Sequence, residues 1–231
     1  MTLRVPLRRS RGAGSIWIAL SLAAALAGCE VVPSRPGTVS PTSTTPGPLA
    51  PARLGTVTAT VAKVSVNNHP VQGTVPLNDG DKVATDATGR AHIELPGRGT
   101  VDLEANTDPW FIREGACVLV RILFGGALVS GSSLCVEDDQ GTRVALGSAI
   151  HVHVAQGRTS ITVVEGTVHL QRVARVQTQE TLTQFQRITV LNGRLQQRVI
   201  VPRTEVDIIR RRFLLPAQRM QPVQPQPQII R

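Results

Sequence analysis

The chain has 231 residues, a formal charge of +9 and only 3% aromatic residues, with no tyrosine. Its basic surplus is not placed where a nucleic-acid-binding fold needs it: residues 55–200 hold 13 Lys or Arg against 13 Asp or Glu, and the excess lies in the two end segments. Beyond the first 28 residues the aromatics are Trp110, Phe111, Phe124, Phe185 and Phe213, too scattered for a stacking platform, so nucleic acid is excluded as an expected partner.

In chain order, Arg4, Arg8, Arg9 and Arg11 come first, without an acidic residue among them. The apolar run 16–27 follows and is too short to cross a bilayer as a helix. It closes on Leu26-Ala27-Gly28-Cys29. This layout is that of a bacterial secretory signal, and small residues directly before a cysteine match the lipobox of bacterial lipoproteins. The match implies that residues 1–28 are a signal peptide and that Cys29 becomes the acylated mature N-terminus, carrying chains such as palmitate. Each buried CH₂ contributes about 0.8 kcal/mol, so several chains on one cysteine anchor stably where one alone holds marginally. The expected location is therefore extracytoplasmic, on a membrane facing the periplasm or at the cell surface, with the leaflet left open.

Residues 29–54 carry Pro33, Pro36, Pro41, Pro46, Pro48 and Pro51 among Ser, Thr and Gly, and lack apolar periodicity. They predict an extended tether that cannot pack a core. From Gly55 the period becomes two. Val57, Ala59 and Val61 share one face, and Val64 and Val66 take the opposite parity, a slip that predicts a bulge near Ala62-Lys63. Further alternating runs include Ala91-x-Ile93-x-Leu95, Val101-x-Leu103, Ile150-x-Val152-x-Val154, Ile161-x-Val163, Val168-x-Leu170 and Ile188-x-Val190, separated by turn residues. Short strands at this spacing predict one all-β domain over 55–200, either a two-sheet sandwich or a short β-solenoid. The more continuously apolar stretch 117–129 predicts a core strand pair turning at Gly125-Gly126.

The three cysteines minus Cys29 leave Cys117 and Cys135, an even pair in an exported chain. A disulfide is expected, worth about 3 kcal/mol in the chain-entropy picture, with two buried reduced thiols as the alternative. After Pro202, Thr204 with Asp207 suggests a capping box, and Val206, Ile209 and Phe213 recur at helical spacing until Pro216. A short basic helix is expected within 201–216. It either docks on the domain or meets a membrane surface through Arg210, Arg211 and Arg212. The Gln- and Pro-rich segment 217–231 predicts a disordered tail.

Several motifs together resemble a known family. Leu77-Asn78-Asp79-Gly80-Asp81-Lys82-Val83-Ala84-Thr85 and then Gly89-Arg90-Ala91-His92-Ile93-Glu94-Leu95 resemble the opening of the FecR domain. Gly147-Ser148-Ala149-Ile150-His151-Val152 is similar to its Gly-Thr-x-Phe-x-Val strand, and Val163-Val164-Glu165-Gly166-Thr167-Val168 to its Glu-Gly-x-Val hairpin. The closing turn is matched by residues 182–190 followed by Gly193-Arg194-Leu195, with Phe185 standing where that family usually has glycine. Ser148 and Ile150 likewise replace the usual Thr and Phe, and residues 105–145 are atypical. The resemblance implies an extracytoplasmic β module that senses or binds. It does not extend to the cytoplasmic sigma-restraining segment of well-known members, since everything before Cys29 reads as signal. Asp79, Gly80, Asp81 and Gly166 read as scaffold, supplying turns and a close approach in a hairpin.

Candidate chemistry is sparse. His151 and His153 project from one side of a strand, a spacing that metal sites use, and His92 and His169 share the polar parity of their strands. No carboxylate has an evident place as third ligand, and His-x-His on a strand is expected to face solvent. Glu137-Asp138-Asp139 before Gln140-Gly141 is expected to form a solvated hairpin turn. Ser132, Ser133 and Ser148 lack an acid-base neighbour, and nucleophile-elbow, phosphate-loop and zinc-protease patterns are absent. The expectation is a non-enzymatic protein without cofactors, held to a membrane by its lipid, recognising another envelope protein through an exposed strand edge or loop face. The alternatives are a structural or wall-polymer-binding envelope lipoprotein and, more weakly, an accessory to sigma-factor-type transmembrane signalling.

Overall fold

The computed structural model describes residues 52–61, 63–174 and 176–213. The expected signal peptide, the acylation site Cys29, the tether up to residue 51 and the tail lie outside them. In chain order the strands are β1 (Arg53–Val61), β2 (Val64–Val66), β3 (His69–Pro70), β4 (Thr74–Asn78), β5 (Val83–Thr85), β6 (Arg90–Leu95) and β7 (Gly99–Leu103). There follow β8 (Trp110–Glu114), β9 (Cys117–Ile122), β10 (Gly125–Gly131), β11 (Leu134–Asp138), β12 (Arg143–Leu146) and β13 (Ala149–Ala155). The last are β14 (Arg158–Glu165), β15 (Thr167–Val173), β16 (Val176–Thr183), β17 (Gln186–Leu191), β18 (Arg194–Leu195) and β19 (Val199–Ile200), before the helix α1 (Arg203–Phe213). Among the described residues the fold is all-β with one short helix at their C-terminal end.

Three sheets hold these strands. The largest runs β18-β17-β14-β13-β10-β7-β6-β1-β4 with β19 also on β17, the second runs β16-β15-β12-β11-β9-β8, and a small one is β3-β2-β5. From β8 onward the chain visits the second and first sheets in turn. The alternating apolar sets explain why: Ile93, Val101, Val129, Val152 and Ile161 of the first sheet and Val120, Leu134, Val144, Val168 and Leu170 of the second are all buried in one shared core. A strand with one apolar face is stable only when that face is covered, and the two sheets cover each other.

Two local expectations are corrected. The stretch 117–129 is not a hairpin: β9 pairs β8 antiparallel and β11 parallel in the second sheet, while β10 pairs β7 and β13 in the first. Its continuous apolar pattern reflects burial on both faces, and β10 serves as the crossover that a parallel β9–β11 pair requires. The parity slip after Val61 accompanies a change of sheet, and the irregularity expected near Ala62-Lys63 lies just before that pair rather than at it. Lys63 takes φ +72° and β2 joins the small sheet, while the register irregularity of β1 against β6 falls between Ala59 and Val61.

The helix is docked on the large sheet. Its Val206 and Ile209 are buried with Ala149, Val164 and Val201, and Leu128, Phe185 and Phe213 pack against them. Glu205 in the first turn and Arg210, Arg211 and Arg212 in the last complement the helix dipole. The helix begins two residues earlier than a Thr204 cap requires, because the Pro202 carbonyl accepts from the Glu205 and Val206 amides and the first helical residue is Arg203.

Candidate functional site

The outward face of the large sheet carries a cross-strand row: Thr74, Thr58, His92, Asp102, Leu128, His151, Thr162 and Arg187 sit at opposing registers on successive strands. Its members bond sideways. The Thr58 and Thr74 hydroxyls are 2.9 Å apart, His92 Nδ1 lies 2.7 Å from Asp102 Oδ1, and Arg187 Nε donates to Thr162 Oγ1 at 2.7 Å. The Asp102 hydrogen bond raises the His92 pKa against the opposing effect of burial. Helix α1 closes over one end, where Arg187 also reaches Glu205.

His151 is therefore not solvent-facing, contrary to the sequence expectation. It is buried, with the Phe213 ring 5.7 Å away across ring centroids, because α1 lies over this part of β13. His153, two residues on, is exposed beyond the helix. The carboxylate that sequence alone did not pair with them is Glu104, just after β7. Its Oε1 is 3.4 Å from His151 Nε2 and 3.0 Å from Arg212 Nη1. Gly126 makes room for it, since a Cβ there would meet Glu104 Oε2 at 2.3 Å. Burial alone pushes the Glu104 carboxyl upward, but His151 and Arg212 outweigh it and hold the pKa at about 2. The cluster's visible role is to fasten the helix, helped by Arg210, which donates to the Val164 carbonyl and faces Glu165. Among the described residues no group of three or more His, Cys, Asp or Glu is arranged to hold a metal ion.

The acidic turn also differs from expectation. Glu137, Asp138 and Asp139 do lead into the β11–β12 hairpin, yet only Asp139 is exposed. Asp138 Oδ1 accepts from the Gln140 and Thr142 amides at 2.9 and 2.6 Å, and Oδ2 accepts from Thr159 Oγ1 at 2.6 Å. Glu137 bridges Arg121 and Arg172. Five donor residues, three of them brought from β9, β14 and β15 and two from the turn itself, make these carboxylates structural fasteners. Cys117 and Cys135 form a disulfide with Cα atoms 5.9 Å apart, tying β9 to β11.

The feature with binding character is the free margin of the second sheet. Three other long margins are guarded. Along β8, the Gly80 amide donates to the Phe111 carbonyl, the Phe111 amide to the Asp81 carbonyl and the Arg113 amide to Asp79 Oδ1. On β4, Pro76 removes a donor, and the β18/β19 margin is broken into two-residue pieces. By contrast β16 runs eight residues, VQTQETLT, without Pro, Gly or Lys. Among the described residues, no backbone group of residues 176–182 bonds to anything but β15. A polar groove of about 680 Å³ lies beside it, lined by Arg143, His169 and Arg172 together with Gln177, Gln179 and Thr181. Sequence reasoning missed β16 because polar residues occupy both of its faces, which erases the period-two signal.

No protein-family model matches the chain, and no curated protein matches it. Solved structures similar to it include two crystal structures of a proposed anti-sigma factor from Parabacteroides distasonis ATCC 8503. One has a TM-score of 0.45 and 17% identity, covering 55% of this chain and 62% of that one. The other has 0.47 and 18%, covering 56% and 64%. This chain thus spans somewhat less than two thirds of the length of either. Among the described residues no helix is long and apolar enough to cross a membrane.

Proposed function

We propose that this chain is a lipid-anchored, extracytoplasmic β module, without catalytic activity of its own, that recognises another envelope protein by accepting an extended segment against β16. The observation that carries the reading is the contrast among margins: among the described residues β16 is long and unguarded where the other margins are blocked by backbone pairing, proline or fragmentation. Unpaired N–H and C=O groups along such a strand are a template for strand addition, and adjacent pockets supply selectivity. The arginine-led apolar run ending at Cys29, the Cys117–Cys135 bond and the FecR-like order of motifs over residues 55–200 support an extracytoplasmic setting. The proline-rich stretch after Cys29 gives the module reach, at about 3 Å per extended residue.

The test is site-specific photo-crosslinking in intact cells, with the photoreactive residue at Gln179 and a control at the exposed Asp139, followed by mass spectrometry. A discrete protein adduct at 179 and none at 139 is expected. Wall fragments at 179 would instead favour a polymer-binding lipoprotein, and equal labelling at both positions would remove the case for β16.

A further inference from the structure

The turns at the two ends of the paired sheets differ in composition. At the end remote from Arg53, the turns after β9, β11, β13, β15 and β17 come together. A Cβ on Gly193 would lie 3.2 Å from that of Ala174 and 3.7 Å from Gln140 Oε1, and one on Gly157 would lie 2.5 Å from Asn192 Oδ1. Leu123 and Ala174 line one depression with Gln140 and Gly141, and Trp110, the first residue of β8, pairs with Arg121 of β9. Among the described residues nine large hydrophobic side chains are exposed, and five of them, Trp110, Leu123, Phe124, Val176 and Leu191, stand in or beside these turns. Val61 ends β1 at the same end of the large sheet, and the other three belong to β19 and α1. The turns between strands at the opposite end, at 96–98, 115–116, 132–133, 147–148 and 184–185, carry none. Turn positions ordinarily go to Gly, Asn, Asp or Ser, so Leu123-Phe124 between β9 and β10 is an apolar pair that the fold itself leaves uncovered.

Charge and reach select what covers it. Arg158 and Arg194 are exposed in the same turns without an ion-pair partner among the described residues, and Asp139 is the exposed carboxylate there. Aromatic and aliphatic tips beside unpaired guanidinium groups match an anionic bilayer surface, where the apolar groups enter the acyl boundary and the cations meet phosphate. The entry of the chain at Arg53 leaves this contact open. The nine residues of β1 measure about 30 Å, whereas the stretch from Cys29 to Arg53 reaches about 70 Å when extended.

We propose that the end of the module carrying Trp110, Leu123, Phe124, Val176 and Leu191 docks on the surface of an anionic bilayer, the membrane to which Cys29 ties the chain. The proposal rests on the acyl anchor of the reading above, is independent of strand addition, and adds an orientation. The turns face lipid, and β16 leads away from the surface with Val176 nearest to it.

The experiment uses the processed, acylated chain in vesicles of phosphatidylglycerol and phosphatidylcholine. Removal of residues 1–28 leaves Trp110 as its only tryptophan. Three single-tryptophan chains are compared: the wild type, Trp110→Phe/Phe124→Trp, and Trp110→Phe/Ile200→Trp, whose reporter stands at an exposed position of the opposite end. Quenching by brominated acyl chains reads docking, and co-flotation with the vesicles reads the anchor. The reporter at 124 should lose about half of its emission, that at 110 less and that at 200 almost none. High salt, or phosphatidylcholine alone, should weaken the quenching at 124 while flotation persists. A chain that fails to float overturns the anchored reading, and this proposal with it. A chain that floats while its reporters at 124 and, in the wild type, at 110 stay unquenched overturns docking alone and assigns the apolar turns to a protein partner. Quenching at 200 equal to that at 124 overturns the orientation.

Discussion

Reduction of the Cys117–Cys135 bond offers a quantitative check on the crossover architecture. The bridge spans 18 positions of sequence, and within that loop the chain leaves the second sheet, runs β10 through the first and returns as β11 parallel to β9. Local pairing cannot hold β9 and β11 together in the unfolded chain, so the covalent link removes real loop-closure entropy. For a loop of this length the chain-entropy relation gives about 3 kcal/mol. In a domain of this size that corresponds to a fall in Tm of about 6–12 °C. The clean comparison is urea unfolding of the oxidised and reduced wild-type chain, because both keep the same side chains; Cys117→Ala/Cys135→Ala adds a small packing loss at buried Cys135. The midpoint should drop at nearly constant slope. A difference below about 0.5 kcal/mol would refute the loop-closure reasoning, and two alkylatable thiols in the native, unreduced protein would refute the bond.

Two further outcomes follow from the helix junction. Glu104 is held at about 2, below its ordinary 4.5, so the stability it contributes is complete above pH 4.5 and is lost as pH falls toward 2. Arg212 is half exposed, and solvent screening reduces the contribution to roughly 1–2 kcal/mol. Glu104→Gln should therefore flatten the acid limb of a stability-versus-pH curve from urea titrations, whereas parallel curves for the two proteins would exclude this assignment. At Phe185 the backbone sits at φ +66°, an uncomfortable value for a bulky side chain, while the ring packs beside the helix core and under the Arg203 guanidinium, 5.4 Å from its centroid. Replacement by alanine loses the packing and keeps much of the strain; glycine loses the packing but relieves the backbone. Phe185→Gly should be more stable than Phe185→Ala by about 1 kcal/mol in thermal unfolding. The reverse order would show that the turn does not require a left-handed residue.

The fold class was legible because its apolar alternation survives in sequence. Ala91, Ile93 and Leu95, or Ile150, Val152 and Val154, are buried as their spacing demands. Gly166 was legible for a similar reason: it takes φ +68° and a Cβ would lie 2.4 Å from that of Ser148. Phe185 marks where the FecR resemblance expects glycine, and the backbone there does adopt glycine-like geometry. What sequence could not show is partnership at long range. Glu104 is 47 residues from His151 and 108 from Arg212, and only the crossing of strands and the return of α1 brings them together. The solvated turn expected at Glu137 and Asp138 failed for the same reason, since Arg121, Thr159 and Arg172 arrive from β9, β14 and β15. The 117–129 stretch misled because hydrophobicity records burial and not which sheet a strand joins.

The central claim is that a lipid-tethered module presents β16 to a partner outside the cytoplasm, and its first half is open to one direct measurement. Mass spectrometry of the protein extracted from membranes should find a mature chain starting at Cys29 with a diacylglyceryl-modified N-terminal peptide, and Cys29→Ser should abolish both the processing and the lipid mass. A wild-type chain that retains residues 1–28, or one that starts at Cys29 without added lipid and fractionates with soluble protein, would contradict the account.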